Sequence, residues 1–140
     1  MTRRGLADWL LAAEALVLLA VFRLVLACVP VRRIIAAVAR RPTEQAPAGE
    51  ATNQTRTIVR RVQWAVSAVA RHSPVEFVCF PQALAGYAML RRRGVLGTLV
   101  YGVARSPGGE LVAHTWLMSG EQMLLGGDAA PEFTEIERWT

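Results

Sequence analysis

The chain has 140 residues, a formal net charge of +5, and 53% hydrophobic residues. That length suits one domain with a modest core. Its two cysteines, Cys28 and Cys79, rule out a disulfide framework and show no metal-ligand spacing, so a reducing, cytoplasmic setting fits best and no cofactor or metal is expected. All 16 basic residues are arginine, and they are scattered in pairs without a nucleic-acid motif, so no nucleic-acid partner is expected.

The mean hydropathy, +0.29, is high for a small soluble protein, and the excess lies in residues 6–39. Residues 6–29 have the length of a membrane span, for which about 20 residues are needed. Asp8, Glu14 and Arg23 interrupt them, and a charge at mid-membrane costs roughly 2.5–3.5 kcal/mol on insertion scales. A small-residue cleavage site is lacking, so a signal peptide is not expected. The segment reads as a helix that is apolar nearly all round. Three placements stay open: packing on this chain or a partner, contact with a membrane surface, and a span. Pro30 ends or bends this helix, and a second helical run follows from Val31 to Arg40. Residues 41–54 then turn rich in proline, glycine and small polar residues, which marks a flexible linker. The expected organisation is an apolar helical arm over 1–40, a linker over 41–54, and a folded domain over 55–140.

Thr55 is a plausible N-cap for a helix over 56–72, where Ile58, Val62, Ala65, Val66 and Val69 recur at helical spacing. A further helix is expected over 79–93, with Pro81 in its first turn and Gly94 as its stop. Its arginine triplet, Arg91 to Arg93, reads as a complement to the helix dipole. After Gly94 the period becomes that of strands: 96–104, 111–118 and 122–125, with a fourth expected over 132–139. Helices followed by an antiparallel β-meander make an α+β fold.

Two residues in this frame carry chemistry. Cys79 opens the helix over 79–93, where the positive end of the helix dipole favours the anionic form of a thiol. His114 lies mid-strand; alternation puts it on one face with Val112 and Trp116, whose ring can shield the imidazole. An imidazole that takes the thiol's proton yields a thiolate nucleophile. The bland alternatives are a small buried hydrophobe for Cys79 and a satisfied core or surface residue for His114. His72 reads as a helix-end residue in a capping or solvent role. A third group should orient the imidazole. Asp128, after Gly126-Gly127, is the candidate, with an ordinary turn-capping role as its alternative; Glu121 and Glu132 are poorer choices. Gln82, one helical turn beyond Cys79, could polarise a carbonyl, but the backbone N–H of Cys79 is the better oxyanion donor.

These residues, in this order, resemble the leader peptidase of lasso-peptide biosynthesis, the protease half of the B protein where B is split into two chains. That family is transglutaminase-like and uses a Cys-His-Asp triad, in the manner of papain-like enzymes. The resemblance runs from Glu14-Ala-Leu through Arg23-Leu, Pro30 and Val62-Gln-Trp64. It continues through Cys79-Phe-Pro-Gln82-Ala-Leu, Leu90-Arg-Arg-Arg-Gly94 and Ala113-His114-Thr-Trp116 to Leu125-Gly-Gly127 and Phe133-Thr134. Many relatives carry the triad aspartate about 12 residues after the histidine, where this chain has Gly126. Either Asp128 substitutes from two residues further on, or the third role is filled differently. The resemblance implies a transglutaminase/papain-like core and catalysis by Cys79, His114 and Asp128, without metal. The implied reaction hydrolyses one bond of a ribosomally made precursor peptide, releasing its leader. A separate leader-recognition protein would deliver that peptide, and an ATP-dependent lasso cyclase would take the product. An acyl transferase of the same superfamily and a non-catalytic, membrane-associated scaffold are the alternatives.

Overall fold

The computed structural model describes residues 4–38, 52–73, 79–126 and 132–139. Its elements are α1 (Leu6–Cys28), α2 (Val31–Val38), α3 (Asn53–His72) and α4 (Cys79–Arg92), then β1 (Thr98–Arg105), β2 (Leu111–Ser119), β3 (Gln122–Leu125) and β4 (Thr134–Trp139). The fold is α+β, as expected from the change of period after Gly94.

Each helix boundary has a local cause. The Asp8 carboxylate accepts the Gly5 N–H at 3.2 Å, satisfying a donor at the start of α1. α3 begins within the expected linker: Thr52, not Thr55, is its N-cap, and its hydroxyl accepts the Thr55 N–H. The rest of the linker lies outside the described residues. Gly94, at φ 70°, ends α4, and the Val95 N–H returns to the Leu90 carbonyl at 3.0 Å. This is the glycine-terminated closure expected of a helix end.

The α1 helix packs on α3 and α4, and α4 packs on the sheet. One hydrophobic cluster runs through these layers, from Leu11, Ala15 and Leu19 of α1 to Val62 and Val66 of α3, Leu84 and Leu90 of α4, and Leu99 and Leu117 of the sheet. Of the three placements open for residues 6–29, packing on this chain is thus realised along one stripe of the helix. Three ion pairs fix that stripe. Glu14 meets Arg93 at 2.5 Å and Arg92 at 3.1 Å, and Asp8 meets Arg61 at 3.0 Å. Two members of the arginine triplet therefore anchor α1 in addition to lying at the C-terminus of α4.

The sheet order is β3-β2-β1-β4, all antiparallel. The first three strands form the expected meander. The fourth does not continue it: β4 crosses to the free edge of β1, pairing Val103 with Thr134 and Leu99 with Trp139. A bulge falls at Tyr101/Gly102 on that edge. Gly102 is required there, because a Cβ would lie 2.9 Å from both the Thr134 carbonyl and the Trp116 ring. Alternation divides the sheet's residues between two faces. Leu99 and Leu117 join the helical core, whereas Val100 and Trp116 form a second, smaller cluster with Met118 and Phe133.

Candidate active site

Cys79 is the first residue of α4, as the sequence suggests, and its side chain is half-buried. Pro81 occupies the first turn, where a missing N–H costs nothing. Phe80 packs on Tyr101 of β1 at 6.1 Å between ring centroids, holding this end of α4 on the sheet. One turn further, Gln82 opens into a cleft of about 660 Å³ between α3, α4 and β3, shared with Gln63, Ser67, Arg71, Leu124 and Gly126. The Gln63 side-chain amide donates to the Leu124 carbonyl at 3.0 Å, covering part of the outer edge of β3. The walls of this cleft, which Gln82 lines and Cys79 does not, are therefore carboxamides, a hydroxyl and a guanidinium around aliphatic residues. Such a lining suits an extended peptide with its unpaired main-chain groups.

His114 lies on β2, half-buried, and its ring is held on three sides. It stacks on Trp116 at 6.0 Å and 28°, as alternation along the strand requires, and Phe133 stands 5.0 Å away. Its Nε2 lies 2.8 Å from the Gly126 carbonyl oxygen. A carbonyl only accepts, so Nε2 carries the proton and Nδ1 is left as the basic nitrogen. Gly126 adopts φ 75°, and a Cβ there would stand 2.9 Å from the Thr115 carbonyl and 3.4 Å from His114 Nε2. The close approach of this carbonyl to the imidazole thus depends on glycine.

The structure does not join Cys79 and His114. No hydrogen bond links them among the described residues, and His114 shares the Trp116 face of the sheet while α4 covers the Leu117 face. The residue of β2 turned to the helices beside His114 is Thr115, whose buried Oγ1 has no partner. Asp128 lies outside the described residues. Glu121 and Glu132 are exposed, and among the described residues Gly126 is the only hydrogen-bond partner of the imidazole. His72 ends α3 and is exposed. The Gly126 carbonyl and the Phe133 ring were not foreseen as site groups. The Gly-Gly turn and the matching tail were visible in the sequence, but a main-chain acceptor and a cross-sheet ring leave no residue-type signal.

A family model described as "Transglutaminase-like superfamily" matches residues 16–138. The chain belongs to that superfamily, and membership suggests chemistry of the cysteine protease or acyltransferase type. No curated protein and no solved structure gives a significant match.

Proposed function

We propose that the protein is a cysteine peptidase that removes the leader from a lasso precursor peptide. The observation that carries the peptidase reading is the placement of Cys79 as the first residue of α4, one turn before Gln82 of the peptide-sized cleft, in a chain of this superfamily. The lasso assignment rests on the motif resemblance around Cys79 and His114. In this reading the Cys79 thiol gives its proton to His114 Nδ1, and the thiolate attacks the scissile carbonyl. The Cys79 N–H, at the positive end of α4, donates to the developing oxyanion. The imidazolium then protonates the leaving amine, and water, deprotonated by His114, hydrolyses the thioester to acid and free thiol. The Gly126 carbonyl holds Nε2–H and so directs Nδ1 to the work; Asp128 is the alternative orienting group. Catalytic contacts are often long without substrate and close in the complex. Here the imidazole stands on the face of the sheet opposite α4, so the reading requires peptide binding to turn the His114 segment of β2 toward the thiol, and not only a contact to shorten. A separate leader-recognition protein would deliver the precursor, and the lasso cyclase would use the freed N-terminus. The same groups would serve an acyl transferase if an amine replaced water.

The test is mass spectrometry of the cognate precursor incubated with the protein and its recognition partner, using wild type, Cys79→Ala and His114→Ala. Wild type should cut once at the leader–core boundary, and each variant should be slower by about 10³-fold or more. A product carrying an added amine in place of water would assign the transferase instead. Equal cutting by Cys79→Ala would remove Cys79 as nucleophile. An intact precursor in all three would point to the non-catalytic scaffold.

A further inference from the structure

Packing on α3 and α4 uses only one stripe of α1, and the opposite face is unlike the rest of the surface. At 3.6 residues per turn, the large exposed apolar residues from Leu6 to Leu24 fall within an arc of about 140° on a helix about 34 Å long. Leu6, Leu10, Leu16, Val17, Val21 and Leu24 lie on it, with exposures from 45% to 78%, and Trp9 lies within it at 67%. The intervening alanines and Cys28 are exposed as well, and the one exposed charge of α1, Arg23, borders the arc about 20° beyond Leu16. Both acids of α1, Asp8 and Glu14, are turned to the protein side and paired with Arg61, Arg92 and Arg93. Beyond its two ends the exposed charges are cationic: Arg4 before the helix, and Arg32 and Arg33 in α2.

We infer that the exposed face of α1 docks on an anionic lipid surface, with the helix lying flat in the interface. The complementarity is specific in kind. A covering partner must be apolar along the middle and anionic at the ends, which is the profile of acyl chains bordered by acidic headgroups. A protein partner would meet about 34 Å of aliphatic surface without a hydrogen-bonding anchor, whereas protein interfaces carry about one hydrogen bond per 100–200 Å². A span is ruled out in this fold, although α1 is long and apolar enough for one, because Leu11, Ala15, Leu19 and Phe22 are buried in the protein core. In the docked state α3 and α4 stand between the membrane and the sheet, so the His114 face points to water.

The experiment is co-sedimentation of the full chain with phosphatidylcholine vesicles containing or lacking phosphatidylglycerol. Wild type should bind the anionic vesicles. Leu10→Glu/Val17→Glu, at two exposed sites that leave the core intact, should lose binding by at least 100-fold. Arg32→Gln/Arg33→Gln should weaken it by about 30-fold, since each arginine near such a surface contributes a factor of roughly five. Brominated acyl chains should quench the emission that Trp9→Phe removes. Absence of binding by wild type would overturn the proposal, as would equal binding by the double-glutamate variant. Self-association that this variant abolishes, without vesicle binding, would assign the face to a second copy of the chain. Cys79→Ala should bind vesicles as wild type does, so the result is independent of the peptidase reading.

Discussion

Replacing Gly126 by alanine tests whether the loop carbonyl holds the imidazole. The backbone there has φ 75°, a left-handed conformation that costs an L-residue about 1–2 kcal/mol. The new Cβ would also sit 2.9 Å from the Thr115 carbonyl and 3.3 Å from Trp116 Cβ. A main-chain oxygen at that distance cannot swing aside, so the loop must shift, and the His114–Gly126 hydrogen bond, worth about 0.5–1.5 kcal/mol net, is strained or lost. The expected loss is about 2–3 kcal/mol in urea unfolding. For 140 residues, at about 2.1 cal/mol/K per residue, that is a fall in Tm of about 7–10 °C. Gly109 provides the control: it has φ 84° but nothing within 4 Å of a Cβ, so Gly109→Ala should show only the backbone cost. In ¹⁵N spectra assigned with a His72→Gln variant, wild-type His114 should appear as the Nε2–H tautomer, and Gly126→Ala should lose that preference. Equal destabilisation at positions 109 and 126, together with an unchanged His114 tautomer, would refute the reasoning.

Glu14→Gln should destabilise the protein by about 1–3 kcal/mol at neutral pH, the range for losing charge-assisted hydrogen bonds at a largely buried carboxylate. The hydrogen bond from Arg93 is the main cause that holds the Glu14 pKa below its ordinary value, with the charges of Arg93 and Arg92 adding and burial opposing. A depressed folded-state pKa means that the unfolded chain binds the proton more readily. The stabilisation is therefore complete above the ordinary glutamate pKa, about 4.3, and is lost as pH falls through the lower folded value. Wild type and variant should converge there in acid-titrated urea melts, and a difference that persists unchanged in strong acid would contradict the assignment. Leu19→Ala, at a fully buried site on α1, should cost about 2–5 kcal/mol in the same assay. A cost below 1 kcal/mol would show that α1 is not part of the folding core.

Much of this was legible in the residues because it is local. Pro81 and Gly94 bracket a helix, so Cys79 could be placed at its start before any tertiary contact was known. Strand alternation put His114 beside Trp116. The turns around Gly109 and Gly120 announced the hairpins, since both adopt the positive φ that glycine allows. The apolar character of residues 6–29 was equally plain, with three placements left open.

What remained hidden depends on partners far apart in the chain. Glu14 and Arg93 are separated by 79 positions, and nothing in either residue announces the other. The meander reading placed β4 after β3, but the open edge of β1 takes it, because Leu99 and Trp139 pair across that edge. Alternation gives relative faces but not which one meets the helices; packing of Gly86 against Leu117 and Leu125 decided that, and with it the side on which His114 stands. The acceptor on His114 is a main-chain oxygen, which every residue possesses, so no residue type could reveal it. Sequence alone determined the start of α4, the turns and the chemistry-bearing residues, since those follow from backbone preference and period, while the start of α3 fell three residues before the expected cap. Tertiary structure decided which stripe of α1 is buried, which edge β4 joins and what holds the imidazole, since those follow from contacts that close only when distant segments meet.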